Sequence, residues 1–79
     1  MQTIFVQVKC ELGHAYDVAA TLVEQDGVSE VYSTSGQYDL LAKCYLEDGN
    51  DIGRYVANQI QKLKGVRDTY TIITFNAFT

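Results

Sequence analysis

Between Ser29 and Leu46 the chain reads SEVYSTSGQYDLLAKCYL, two β-rich runs meeting at Ser35-Gly36-Gln37. Val31, Tyr32 and Thr34 precede that point, and Tyr38, Leu40, Leu41, Cys44 and Tyr45 follow it. Glycine reaches the positive φ that a tight turn needs, so the stretch reads as a β-hairpin. A hairpin in the middle of a short chain is a strong constraint, because what precedes and follows must pack around that strand pair. Asp39 stands out within it, since aspartate is a poor strand former. Either it faces water at the strand end, or something cationic meets it there.

The flanking segments have clear periods. From Thr3 to Cys10, Ile4, Val6, Val8 and Cys10 alternate with Thr3, Phe5, Gln7 and Lys9, which predicts a strand with one face in a core. Gly13 breaks it. From His14 to Gln25, Ala15, Val18, Ala19, Leu22 and Val23 recur at helical spacing, with Asp17 in the first turn and Gly27 as the stop. After the hairpin, Asn50 or Asp51 can cap a second helix with the apolar stripe Ile52, Tyr55, Val56, Ile60 and Leu63. Gly65 ends that helix, and a last strand is expected from Arg67 to Asn76.

The resulting order is β-α-β-β-α-β. Gly27-Val28-Ser29-Glu30-Val31-Tyr32-Ser33 and Gly65-Val66-Arg67-Asp68-Thr69-Tyr70-Thr71 echo each other, both leaving a helix to enter a strand. Gly-Val after a helix is also ordinary capping chemistry, so the echo supports the order without proving it. With right-handed crossovers the order gives an α+β, ferredoxin-like sandwich of one four-stranded antiparallel sheet under two helices. Cys10 and Cys44 are expected near the same end of two central, parallel strands, as free thiols facing the helices.

Two helices on one side leave the other sheet face open. If Ile4, Val6, Val8, Leu40, Ala42 and Cys44 face the helices, then Phe5, Gln7, Asp39, Leu41, Lys43 and Tyr45 face outward. In the last strand Tyr70 and Ile72 are expected inward, with Thr69, Thr71, Ile73 and Phe75 outward. Phe5, Leu41, Tyr45, Ile73 and Phe75 would then form an apolar patch too large to leave in water. A chain of 79 residues buries only about 60% of its unfolded surface alone, so sheet-against-sheet dimerisation into an α/β barrel is the expected remedy. At the patch's edge, the Asp39 carboxylate can bind an ammonium group. The hydroxyls of Thr69 and Thr71 and the unhindered backbone at Gly36 can meet a carboxylate. That set suits the main-chain end of a free amino acid, although an acid at a strand end and threonines within a strand need no ligand to explain them.

Several classes are disfavoured. A net charge of −4 with six scattered Lys and Arg argues against a nucleic-acid surface. No apolar run approaches a membrane span and no signal-peptide pattern precedes the first strand, so a cytoplasmic protein is expected. Cys10 and Cys44 lack Cys-x-x-Cys spacing, and no His, Cys or carboxylate cluster suggests a metal site or cofactor. The enzyme alternative is a small dimeric isomerase or cofactor-free monooxygenase with His14 as general base, helped by Tyr16, Tyr38 or Tyr45. The favoured reading of His14 is nevertheless the plainer one, a solvated residue near a helix start.

Thr34-Ser35-Gly36-Gln37-Tyr38-Asp39-Leu40-Leu41 resembles the hydroxyl-rich turn, Gly-x-Tyr-Asp and apolar strand of the Lrp/AsnC effector-binding (RAM) domain. Leu63-Lys64-Gly65-Val66-Arg67-Asp68-Thr69-Tyr70-Thr71 resembles that domain's second signature, with Lys64 where a proline often stands. The resemblance spans residues 1–79 and implies homodimers, often assembled into rings such as octamers, with effector amino acids bound between subunits. Carried over by position, it points to Gly36, Tyr38 and Asp39, with Thr69, Thr71 and Ile72 supplied by a neighbour. Typical members begin with a helix-turn-helix domain, whereas this chain begins at its first strand. A stand-alone effector domain is therefore expected, sensing amino acids or modulating full-length relatives by co-assembly, without contacting DNA itself. An ACT-type regulatory domain and a ligand-free assembly module are the remaining alternatives.

Overall fold

The computed structural model describes all 79 residues. Its elements are β1 (Gln2–Cys10), α1 (Ala15–Leu22), β2 (Val28–Ser33), β3 (Leu40–Leu46), α2 (Ile52–Val56) with a π-helical continuation (Ala57–Gln61), and β4 (Val66–Ile73). The strands form one antiparallel sheet in the order β2-β3-β1-β4. Each helical connection passes over one intervening strand, so the two βαβ halves interleave, as the sequence order predicts. No helix is long and apolar enough to cross a membrane.

The central strands are antiparallel, contrary to the expectation for the two cysteines. Ile4 faces Cys44 and Val8 faces Leu40. A crossover through α1 makes β2 parallel to β1, and the hairpin then forces β3 against both. Cys10 and Cys44 consequently lie towards opposite ends of the sheet, both free and both buried.

One layer of core lies between the sheet and the helices. Ile4, Val6, Val8 and Cys10 from β1, Leu40, Ala42, Cys44 and Leu46 from β3, Val18 and Leu22 from α1, and Val56 and Ile60 from the second helical segment are buried, with no polar residue among them. Period two in β1 and β3 and period 3.6 in the helices pick out these residues, but Val23, expected in the stripe of the first helix, is 54% exposed because α1 ends at Leu22. Both helices are shorter than their apolar stripes suggest. After Leu22 the chain tightens, Glu24 donating to the Thr21 carbonyl and Gln25 to that of Leu22. Asp51 caps α2, its Oδ1 accepting the Arg54 N–H at 3.0 Å. Gly27 turns α1 into β2 at φ +84°, where an added Cβ would meet the Tyr45 carbonyl and the Tyr55 hydroxyl at 2.9 Å. Only glycine fits there.

The sheet departs from the expected pattern in two connected ways. The hairpin link is longer than a tight turn: β2 ends at Ser33 and β3 begins at Leu40. Thr34 N–H to the Asp39 carbonyl (2.9 Å) and Thr34 Oγ1 to the Tyr38 carbonyl (3.1 Å) close this loop. The second departure is in β4, where Cys10 faces Val66 but Lys9 faces Asp68, leaving Arg67 as an extra, bulged residue. Without that bulge, Asp68, Tyr70 and Ile72 would follow Val66 onto the helix side. The extra residue inverts every side chain after it. Thr71 therefore lies opposite Val6, Thr69 opposite Val8 and Ile73 opposite Ile4, all on the helix side, while Tyr70 and Ile72 join Gln7 and Phe5 on the open face. The expected parity of the last strand is thus reversed, and Phe75 lies beyond its end.

The bulge has a counterpart in β2. Val28 faces Cys44 and Glu30 faces Lys43, which leaves Ser29 bulged. Ser29 and Arg67 hold the same place in the Gly-Val echo. The repeat therefore delivers its acid and its tyrosine, Glu30 with Tyr32 and Asp68 with Tyr70, to the open face on both edges of the sheet.

Candidate functional site

The pairing registers arrange the open face in rows. Tyr32, Leu41, Gln7 and Tyr70 form one row across all four strands. Glu30, Lys43, Phe5 and Ile72 form the next, and Tyr45 with Thr3 a third. Lys9 and Asp68 stand above the first row, beside the Thr34–Asp39 loop. Aromatic and aliphatic area is therefore continuous across the sheet, with charges confined to two places. Tyr70 (57% exposed) and Ile72 (42% exposed) remain partly open to solvent in one chain.

At the loop end, Gly36 adopts φ +102° with open space where a Cβ would point, so its role is conformational rather than steric. The Tyr38 ring leans over the Tyr70 ring, centroids 6.3 Å apart and planes tilted by 39°. Asp39 has an internal partner: its Oδ2 accepts the Cys10 N–H at 2.8 Å. That N–H lies at the β4 bulge, where the regular ladder is interrupted, so the carboxylate fastens the loop to the end of β1. Burial, and then the Asp39 charge, push the Cys10 thiol pKa up. Lys9 Nζ donates to the Gln37 carbonyl at 3.0 Å, fixing the other flank of the loop.

The six residues singled out from the sequence are thus divided. Gly36, Tyr38 and Asp39 share the loop, and Ile72 lies on the open face opposite Phe5. Thr69 and Thr71 lie on the helix side, where the Thr69 hydroxyl accepts from Gln61 Nε2 at 2.9 Å. They cannot meet a ligand held at the loop of their own chain from the open side. Lys9, Tyr70 and Asp68 are at the loop and were not assigned to a site from the sequence. The equal offsets of acid and tyrosine in the echo were the signal that could have found two of them.

At the opposite end of the face, a groove of about 580 Å³ is lined by Thr3, Phe5, Lys43, Tyr45, Thr74 and Phe75, among others. Lys43 sits 5.3 Å from the Tyr45 ring centroid and 3.7 Å from Glu30 Oε2, and the Tyr32 hydroxyl donates to Glu30. These charges satisfy one another. His14 is exposed at the start of α1, with Nδ1 3.8 Å from Asp17 Oδ2, and Tyr16 is exposed on the same helix. Tyr38 and Tyr45 lie at opposite ends of the sheet's other side. Of the three tyrosines of the enzyme alternative, only Tyr16 lies on the helix that His14 precedes.

Residues 3–79 match the family model described as the Lrp/AsnC ligand binding domain. HTH-type transcriptional regulator FL11 of Pyrococcus abyssi is 30% identical over 69 residues, 87% of this chain and 45% of its own length. The homocitrate synthase of Sulfurisphaera tokodaii is 40% identical over 68 residues, 84% of this chain but 14% of the enzyme. The chain spans less than half the length of the curated regulators it matches. Among solved structures, TTHA0845 from Thermus thermophilus superposes with a TM-score of 0.91 at 33% identity, covering 100% of this chain and 99% of that one. The transcriptional regulator NMB0573 of Neisseria meningitidis, solved as a complex with L-Met, has the same fold (TM-score 0.85, 19% identity, 99% of this chain and 52% of that one).

Proposed function

The chain belongs to the Lrp/AsnC ligand-binding domain family, and from that premise we propose that residues 1–79 form one amino-acid-sensing regulatory domain of a cytoplasmic protein. The effector lies where the Thr34–Asp39 loop of one copy meets a neighbouring copy. The observation that carries this reading is the loop end of the open face. Hydrogen bonds to Gln37, Tyr38 and Asp39 hold the loop that carries Gly36 there, beside the half-exposed ring of Tyr70. A preformed aromatic wall with polar groups around it is what a small zwitterion needs. Thr69 and Thr71 contribute, on this reading, only from a neighbouring chain.

The open face supports self-association. Tyr32, Leu41, Phe5, Tyr70 and Ile72 form a contiguous apolar strip, and a second sheet laid against it gives the dimeric barrel. Rings such as octamers and co-assembly with full-length regulators extend the same proposal. The regulators among the relatives support a role in transcription control without catalysis. The L-Met complex of the Neisseria protein supports a free amino acid as the class of ligand.

A second reading is favoured by one observation, the 40% identity to a segment of homocitrate synthase. A module shared by DNA-binding regulators and a biosynthetic enzyme is a sensor that can be coupled to different outputs. Calorimetric titration of the common free amino acids into the native protein tests both readings. Saturable binding of at least one is expected, and its absence for all would reduce the domain to an assembly module.

A further inference from the structure

The two edges of the open face carry the same residue pattern in opposite states. On the β2 edge, the acid of the echo, Glu30, lies directly across from a lysine of the neighbouring strand, Lys43, and the two form an ion pair at 3.7 Å. On the β4 edge, the corresponding acid, Asp68, lies directly across from Lys9. Cross-strand neighbours have Cα atoms roughly 5 Å apart, well within reach of each other. Yet this second pair is not joined: the three ion pairs of the chain are Met1 N-terminus–Asp48, His14–Asp17 and Lys43–Glu30. Each member has turned away, Lys9 Nζ to the Gln37 carbonyl and Asp68 Oδ1 to the Thr69 N–H at 2.9 Å. An ammonium has three N–H donors and a carboxylate has two oxygens. Both groups therefore keep bonding capacity to spare. One row further along the same two strands, about 7 Å away at the rise of a β-strand, are Gln7 and Tyr70, with the Tyr38 ring leaning on the latter.

We propose that Lys9 and Asp68 are the charge-reading pair of the effector site. Lys9 receives the α-carboxylate of a free amino acid and Asp68 its α-ammonium, while the amino acid's side chain lies along Tyr70 and Tyr38 towards Gln7. This rests on the amino-acid-sensing reading above and assigns the zwitterion's partners to side chains outside the Gly-x-Tyr-Asp loop. It also gives the loop a part, because Lys9 is tethered to Gln37. A ligand that draws on Lys9 acts directly on the segment that would touch a neighbouring copy.

The test is calorimetry on the native protein with three forms of the tightest-binding amino acid: the free acid, its C-terminal amide and its N-acetyl derivative. Removing either charge-assisted hydrogen bond should weaken binding about tenfold to a hundredfold, so both derivatives should bind correspondingly worse than the free acid. Lys9→Met should bind acid and amide alike, and Lys9→Arg should restore the preference. Asp68→Asn, which keeps an acceptor for the Thr69 N–H, should bind acid and N-acetyl derivative alike. Glu30→Gln, on the edge that is already paired, should change neither preference. Equal binding of all three forms by the unaltered protein would overturn the assignment while leaving amino-acid sensing intact. So would preferences that persist in Lys9→Met and Asp68→Asn, or that also vanish in Glu30→Gln. Binding of no amino acid at all would remove the functional reading itself, and the assignment with it.

Discussion

Asp39 joins two parts of the chain that sequence distance keeps apart. Its carboxylate takes the Cys10 N–H at the point where β1 stops pairing regularly with β4. Asp39→Ala leaves that half-buried donor without a partner and should cost about 1–3 kcal/mol of stability by chemical denaturation. Asp39→Asn keeps an acceptor and should cost less. The oddity of an aspartate at this position was legible in the sequence, but its partner was not, because a backbone N–H at a bulge has no signature of its own. Burial sets a second residue-scale effect. The thiols of Cys10 and Cys44 and the Tyr55 phenol all have raised pKa values, with desolvation the first cause in each. For a group raised in the folded state, the stabilisation is complete below its unfolded pKa and is lost as pH climbs through its folded one. Stability should hold up to about pH 8.5, the ordinary thiol value, and then fall through the alkaline range in a pH series of urea melts. Thiol reagents should label the unfolded chain and spare the native one.

At the scale of elements, the most consequential feature is a single extra residue. Alternation within β1 and β3 is legible in the sequence, because Ile4, Val6 and Val8 and Leu40, Ala42 and Cys44 keep strict period two. In β4 the same reasoning reverses the faces. Val66 is inward, but the bulge at Arg67 shifts Tyr70 and Ile72 outward and Thr69 and Thr71 inward. Alternation alone cannot count a residue that pairs with nothing. The repeat did carry the information, since Ser29 is bulged at the matching position of β2. The glycine that opens each repeat matters for a different reason. At Gly27 both the positive φ and the 2.9 Å approach of Tyr45 and Tyr55 exclude a side chain. Gly27→Ala should therefore destabilise by more than about 1 kcal/mol, as a melting-temperature decrease with an unchanged circular dichroism spectrum would show.

For the whole molecule, the open face and the loop end lead to one claim, that effector binding and self-association belong to the same surface. Tyr32, Leu41, Phe5, Tyr70 and Ile72 are uncovered or half-covered in one chain, while the charges among them are paired or held at the edges. Ile72 and its neighbour Ile73 point to opposite sides of the sheet, which provides an internal control. Ile72→Asp would bury an unpaired charge in a face-to-face dimer and should dissociate it. Ile73→Asp places the same charge on the partly exposed helix side and should leave assembly intact. The most direct measurement is therefore amino-acid titration of these two variants and the unaltered protein, with the mass of each species determined by light scattering in the same buffer. The unaltered protein and Ile73→Asp should be oligomeric and bind the effector saturably, whereas Ile72→Asp should be monomeric and bind it at least about tenfold more weakly. A monomeric Ile72→Asp chain that binds as tightly as the assembled protein would contradict the account.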